Sequence, residues 1–335
     1  MLTVTAQLNV PSNQLPSSTV RPNPRILASL GREFLGHRAT HIIAPHKIVL
    51  IMSGCCLKEI DNFMQIKDKV AIITGAASGI GRAAAQELIK NDVGQVALVD
   101  VADNVHELAE SLNKEAGREV ALAFHGDTTD DMFRKNTFDA IRRQSGVVNI
   151  CIPAAGITRD ALAVKLNKAK GKANLYPIEN FRQVMEVNLI APIYWALELV
   201  GQMAEDRYTR GLKQWSADEG VQGVIVFIGS VSSQGNKGQI SYATTKVGIE
   251  GAASTLMKEA MHYGVRCTVI HPGFTDTPMV RSLGEEYIAK YVLPATQIGR
   301  LIRPEEIADA ICFLIRNSAV SGQLWADAGW HPMPT

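Results

Sequence analysis

Val70-Ala71-Ile72-Ile73-Thr74 runs without a break into Gly75-Ala76-Ala77-Ser78-Gly79-Ile80-Gly81. The first five residues form a short apolar run, the pattern of a strand buried on both faces. The glycines let the chain turn tightly and come close to another backbone before a helix opens at Gly79. The start of a helix presents free N–H groups and a positive dipole end, which suits a pyrophosphate. A glycine-rich turn alone is a weak signal; its place between a strand and a helix gives it weight.

The same alternation repeats downstream. Val96-Ala97-Leu98-Val99-Asp100 reads as a second strand, followed by strands at 120–124, 147–152, 224–228 and 265–271. Helical patterns cover 103–116, 130–144, 179–206, 240–263 and 304–316. Apolar strands alternating with helices predict an α/β fold, a doubly wound Rossmann-type parallel sheet with helices on both faces. It takes in residues 64–335 as a single domain.

Residues 1–63 differ in character. Five prolines (Pro11, Pro16, Pro22, Pro24, Pro45) interrupt them, and Glu33 is the one acid before residue 59. No packed core is read there, and the segment is expected to be a poorly ordered N-terminal extension. Arginines and serines with few acids also fit an organellar transit peptide, while Met52 and Met64 offer alternative starts. The location expected is cytoplasmic, or organellar if that segment is a transit peptide.

Bulk composition excludes some partners. Lys+Arg total 34 against Asp+Glu 33, a net charge of +1, so neither nucleic acid nor an anionic membrane is expected. No uninterrupted apolar run approaches the ~20 residues that span a bilayer. The five cysteines, Cys55, Cys56, Cys151, Cys267 and Cys312, lack metal-ligand spacing and read as free, mostly buried thiols. His106, His125, His262 and His271 are scattered, so no metal site is expected.

Two places carry chemistry. Asp100 ends the second strand 19 residues after Gly81, where a carboxylate accepts ribose hydroxyls and repels a 2′-phosphate. Ser78 adds no cation, so NAD is favoured over NADP. Asp127 follows the third strand, near where an adenine ring would lie; it also reads as a turn or cap residue. Farther on, Tyr242 and Lys246 stand four residues apart, on one helix face. An ammonium beside a phenol is expected to lower its pKa from ~10, toward the range of a neutral-pH acid–base group. Ser230, just after the fifth strand, can hydrogen-bond a substrate oxygen.

Taken together these motifs are specific. Thr74-Gly75, Gly79, Gly81, Asn188 within Val187-Asn188-Leu189, Ser230, Tyr242 with Lys246, and Pro272-Gly273-Phe274-Thr275-Asp276-Thr277 appear in one order along the chain. Residues 64–335 thus resemble the short-chain dehydrogenase/reductase family, in its 3-oxoacyl-carrier-protein-reductase-like branch. The resemblance implies that Tyr242 exchanges the proton, Ser230 holds the carbonyl oxygen and Lys246 binds the nicotinamide ribose. It implies that Asn188 kinks its helix and holds a water of a proton relay. It implies cofactor contacts at Gly75, Ser78, Gly79, Ile80, Gly81, Asp100, Asp127, Gly156, Tyr242, Lys246, Pro272, Gly273, Thr275 and Thr277, the last at the nicotinamide carboxamide. The substrate expected is a small hydroxy or keto compound, with acyl-CoA or an acyl-carrier protein among the candidates. A homodimer or homotetramer is expected, joined through the helices near 179–206 and 240–263. The reading from a different class is a non-catalytic, NAD(P)-sensing binding protein on the same fold; the intact Tyr/Lys/Ser/Asn set speaks against it.

The chain departs from the pattern in several places. Pro153-Ala154-Ala155-Gly156 replaces Asn-Asn-Ala-Gly, so altered contacts at the cofactor edge are expected without loss of chemistry. Ser230 lies 12 residues before Tyr242, one fewer than expected, which leaves Ser232 and Ser233 as competitors. The closing segment 321–329 also looks one residue short. Two insertions stand out. The stretch 167–173 carries Lys168, Lys170 and Lys172; it reads as a solvated loop or as a receiver of phosphates on an anionic carrier. The other, 205–221, carries Trp215 and has no assigned role.

Overall fold

In the computed structural model the described residues are 64–330 together with the backbones of two N-terminal strands, β1 (Thr40–Ala44) and β2 (Lys47–Ile51). The chain divides into two units, Met1–Ile60 and Asp61–Thr335. In the first, β1 and β2 pair antiparallel, from Thr40 opposite Ile51 to Ala44 opposite Lys47. Both are rich in isoleucine and valine, which favour strands. These two paired strands lie in the stretch where the sequence reading placed no packed core. The transit-peptide reading and the start at Met52 lie outside the described residues. Met64 is buried in the core of the second unit.

The second unit is built on seven parallel strands: β3 (Val70–Thr74), β4 (Gln95–Asp100), β5 (Ala121–His125), β6 (Ile150–Pro153), β9 (Gly223–Ile228), β10 (Val265–Pro272) and β11 (Gly322–Ala326). Their order across the sheet is β11-β10-β9-β6-β3-β4-β5. Six helices cover it: α1 (Gly79–Lys90), α2 (Val105–Ala116), α3 (Asp131–Ser145), α4 (Ile178–Thr209), α5 (Ile240–Glu259) and α6 (Pro304–Arg316). Successive strand residues point to opposite faces, and two cores follow. Ile73, Leu98, Ile152 and Val226 pack with Leu88, Leu112 and Ile311 under α1, α2 and α6. Ile72, Val99, Cys151 and Phe227 pack with Phe138, Trp195, Leu199 and Ile249 under α3, α4 and α5.

The doubly wound single-domain fold is as the sequence predicts, with element ends displaced by a few residues. The chain lays down β4 and β5 on one side of β3, then crosses to place β6 on the other. At this reversal a crevice opens outside the strand ends, where such sheets bind ligands.

Two local results go beyond the sequence reading. The helix at 178–209 is not regular: residues Glu186–Ile190 form a π segment between α-helical stretches. By length and composition it is apolar enough to cross a bilayer, although no apolar run was read as long enough. Its Trp195, Leu199 and Met203 are instead core residues against the sheet. The stretch 205–221 is anchored rather than loose. Arg207, 1 % exposed, donates to Glu219 at 2.6 and 3.1 Å, and Trp215 donates from its ring to Gly220 and from its backbone to His262. That ion pair holds the Glu219 carboxyl down at about 2.

The lysine-rich insertion is a β-hairpin, not a loop. Strand β7 (Val164–Asn167) pairs antiparallel with β8 (Lys172–Leu175). The turn between them uses Gly171 at φ +58°, a conformation that favours glycine.

Candidate active site

Each glycine of the turn after β3 has its own steric reason. A Cβ on Gly75, at φ +66°, would lie 2.7 Å from the Ala155 backbone nitrogen. One on Gly81 would lie 2.2 Å from the Gly75 carbonyl oxygen, and one on Gly79 would press at 3.0 Å on the Thr277 methyl. The segment that departs from the family's asparagines takes part: Ala154 N–H donates to the Thr74 carbonyl and Ala155 N–H to the Thr74 hydroxyl. Ser78, exposed, sits at the helix N-cap and leaves the first N–H groups of α1 without a side-chain cap. This uncapped helix start over a glycine cradle fits a dinucleotide pyrophosphate.

Asp100 reaches back to that turn. One carboxylate oxygen accepts the Ala77 N–H at 2.9 Å and the other the Ala102 N–H at 3.0 Å. It thus braces the loop, and each oxygen keeps a further lone pair able to accept a hydrogen bond. Asp127 is exposed and accepts from the backbone and hydroxyl of Thr129 in a local turn. No hydrogen bond links its side chain to the glycine loop among the described residues.

The chemical groups converge at the end of β9. Ser230 follows that strand in extended conformation, and its hydroxyl hydrogen-bonds the Tyr242 phenol and accepts from Ser232 N–H. The Ser232 hydroxyl donates instead to Gln239 at 2.8 Å, and the Ser233 N–H is spent on the Ser230 carbonyl. Of the three serines, Ser230 is the one joined to Tyr242. The Lys246 ammonium donates to the Ile228 carbonyl at 2.8 Å and stands 5.4 Å from the centre of the Tyr242 ring.

The electrostatics correct one expectation. Burial pushes the Tyr242 phenol up to about 12, opposed by its bond to Ser230 and reinforced by the Asp160 carboxylate. Burial, not the ammonium of Lys246, sets the direction of the shift. Burial in turn brings Lys246 down to about 8. Without a ligand the pair is a firmly protonated phenol beside a weakened ammonium.

Asn188 lies in the π segment, 1 % exposed. Its amide donates to the Ile157 carbonyl at 2.8 Å, and its oxygen accepts the Ile157 N–H at 2.9 Å. It therefore ties the helix distortion to the strand end beside Gly156, where a Cβ would lie 3.5 Å from the same oxygen.

Seven of the expected residues, Ile80, Ser230, Tyr242, Pro272, Gly273, Thr275 and Thr277, line one cleft. Thr277 caps the short helix Pro278–Arg281, accepting from Val280 N–H, and Thr275 is buried. Asn188 bonds to Ile157, next to the lining residue Thr158, and Lys246 to the lining residue Ile228, whereas Gly75, Ser78, Gly79, Gly81, Asp100, Asp127 and Gly156 are not part of this lining. The sequence reading missed the rest of its lining. Thr158, Asp160 and Gln239 form a polar wall, with Gln239 donating to Asp160 at 2.8 Å; Phe274, Met279 and Val280 form an apolar one. Nothing in the sequence spacing of Asp160 places it opposite Tyr242. Among the described residues no group of three or more His, Cys, Asp or Glu is arranged for a metal.

The profile of the short chain dehydrogenase family matches residues 69–288. The chain is 29 % identical over 257 residues to the 3-oxoacyl-(acyl-carrier-protein) reductase FabG of Escherichia coli strain K12, covering 76 % of this chain and 93 % of that protein. It is 32 % identical to the FabG of Thermotoga maritima over 268 residues, covering 78 % and 96 %. It is 30 % identical to 3-hydroxyacyl-CoA dehydrogenase type-2 of Bos taurus over 263 residues, covering 77 % and 93 %. The crystal structure of a short-chain type dehydrogenase/reductase from Mycobacterium marinum superposes with a TM-score of 0.67 at 23 % identity, covering 80 % of this chain and 97 % of that one.

Proposed function

The chain belongs to the short chain dehydrogenase family and is an oxidoreductase acting on CH–OH groups, and from that premise we propose that it is an NAD(H)-dependent enzyme interconverting 3-hydroxyacyl and 3-oxoacyl thioesters. The observation that carries the reading is the cleft lined both by Ile80, the residue between Gly79 and Gly81, and by Ser230 and Tyr242. A nicotinamide dinucleotide supplies or takes up the hydride. The N–H groups at the start of α1 hold its pyrophosphate, and Asp100 holds its adenosine ribose. Tyr242 gives a proton to the substrate oxygen in reduction and takes it back in oxidation, while Ser230 positions that oxygen. Lys246 offers its positive charge beneath the ring, and the apolar wall at Phe274, Met279 and Val280 receives an acyl chain.

The preference for NAD rests on Asp100 and on the uncharged Ser78. Asp100→Ala also loosens the loop, because Ala77 N–H loses its acceptor. That second effect weakens both dinucleotides equally, so the ratio isolates the ribose contact. We expect the NAD/NADP ratio of kcat/KM to fall about tenfold, as loss of a charge-assisted hydrogen bond and of a repulsion implies. An unchanged ratio would remove the ribose assignment.

The thioester reading draws on the β7–β8 hairpin. It is rooted at the rim of the cleft: Ala161 N–H donates to the Gly238 carbonyl, and the Tyr176 hydroxyl lies 2.9 Å from that of Ser241. Lys165, Lys168, Lys170 and Lys172 are all exposed on it, in reach of phosphates on a carrier whose acyl end enters the cleft. Reversing Lys168, Lys170 and Lys172 to glutamate is expected to raise the KM for an acyl-CoA roughly tenfold at low salt and to leave that of a small neutral ketone unchanged. An equal effect on both substrates would argue against a carrier contact.

Assembly as a dimer through α4 and α5 is part of the proposal, since Ile190, Tyr194, Leu197 and Val247 stay 40–48 % exposed on those helices. The decisive experiment is a turnover screen of purified protein with NADH and with NADPH, against 3-oxoacyl thioesters and free ketones. Dinucleotide binding without turnover on any of them would make the chain a sensor.

A further inference from the structure

His271 occupies a place in the sheet that the proposed chemistry does not use. It is the seventh residue of β10, 0 % exposed, and its ring stacks on Trp325 of β11 at 4.2 Å and 11°. On the other side of β10, strand β9 stops pairing at Ile228, opposite Ile270. Gly229 N–H still reaches the Ile270 carbonyl at 2.7 Å. The next donor along, Ser230 N–H, is buried and has no carbonyl left in the ladder. It donates to His271 Nδ1 at 3.2 Å. A side-chain nitrogen thus stands in for the missing backbone acceptor at the residue where the strand becomes the site. Left unmet, that N–H would carry a desolvation cost.

Gly229 belongs to the same arrangement. A Cβ there would lie 2.5 Å from His271 Nδ1, so the ring and the glycine are matched. Nδ1 lies 3.2 Å from the Ser230 carbonyl as well, so the ring meets both polar groups of that residue's backbone. Accepting from Ser230 N–H requires Nδ1 bare and the proton on Nε2. Nε2 faces the Glu250 carboxylate at 3.8 Å, and it has no hydrogen-bond partner. Glu250 sits on α5 one turn beyond Lys246, itself one turn beyond Tyr242, so one helix face carries all three.

We propose that His271 is a positioning residue for the hydroxyl of Ser230: its neutral ring fixes the Ser230 backbone at the end of β9. The inference rests on the reading of Ser230 and Tyr242 as reacting groups. Burial lowers the His271 pKa, opposed by the Ser230 backbone, Glu250 and Gln323 and reinforced by Lys246, which is consistent with a neutral ring.

The test compares an acceptor with a non-acceptor. His271→Asn can place its side-chain oxygen near Nδ1; His271→Leu fills similar volume without one. We expect His271→Leu to lower kcat about tenfold or more with KM changed less than twofold and the NADH Kd unchanged, and His271→Asn to recover most of that loss. Should the leucine protein not fold, His271→Ala takes its place and Asn must still exceed it in kcat. Equal kcat for the acceptor and non-acceptor variants overturns the proposal. So does a non-acceptor variant at wild-type kcat. Tyr242→Phe is measured alongside: if it keeps full turnover, the underlying reading has failed; if it is inactive while His271→Leu is normal, only the role of His271 has.

Discussion

Tyr242→Phe is expected to lower kcat about a thousandfold while the NADH Kd stays within about twofold of the wild-type value. The substitution removes one oxygen and leaves the ring in place between Lys246 and the cleft. That oxygen is the acid joined to Ser230 at the bottom of the cleft. Held near 12 by burial, the phenol is protonated at neutral pH and ready to donate in the reducing direction. Oxidation needs the opposite state, so its rate should climb with pH over a range where reduction is flat. Dinucleotide contacts at the glycine turn and Asp100 are untouched. Melting should shift little, since one net hydrogen bond is worth about 1 kcal/mol. The checks are NADH oxidation at saturating substrate and fluorescence titration of NADH binding. A loss smaller than tenfold would mean that another group moves the proton.

How much of this was readable in the chain depends on the range over which each feature is decided. The strands and helices of the sheet were legible because burial on both faces writes itself as apolar runs of five or six residues. The glycine turn was legible for the same local reason: Gly75 and Gly81 answer to close backbone approaches that leave no room for a Cβ, and Gly79 to a positive φ that favours glycine. The β7–β8 hairpin was legible too and was passed over. Val164-Lys165-Leu166-Asn167 alternates with period two, and Gly171 marks the turn. Other features had no local trace. His271 meets Ser230 from 41 positions away, and Asp160 meets Gln239 from 79. The direction of the Tyr242 shift was misread because i, i+4 spacing says that two side chains share a face, not how deeply they are buried. Burial set the direction.

Lys246 carries the second large effect, and it separates activity from stability. Lys246→Met keeps the length of the side chain and removes its charge. Activity should fall by about a hundredfold or more, since a phenolate forming over the methionine has no cation beneath it. Stability should move the other way. Lys246 is 6 % exposed, and its fall from 10.5 to about 8 means that folding disfavours the ammonium. At neutral pH that amounts to about 3 kcal/mol, offset in part when the Ile228 carbonyl loses its donor. A net gain of about 1–3 kcal/mol is expected for the methionine protein at pH 7. The sign with pH follows from proton counts. Between about 8 and 10.5 the unfolded chain keeps the lysine proton and the folded one has shed it, so wild-type stability rises with pH there. Below about 8 the penalty is complete. Tyr242 adds nothing until pH 10, above which the unfolded phenol ionises first and stability declines. Urea melts at pH 7, 8, 9 and 10 should therefore show the wild-type protein closing the gap on Lys246→Met as pH rises. A methionine protein that is less stable than wild type at pH 7, with a gap indifferent to pH, would mean that the ammonium is well solvated and that the weakened base assigned to this site does not exist.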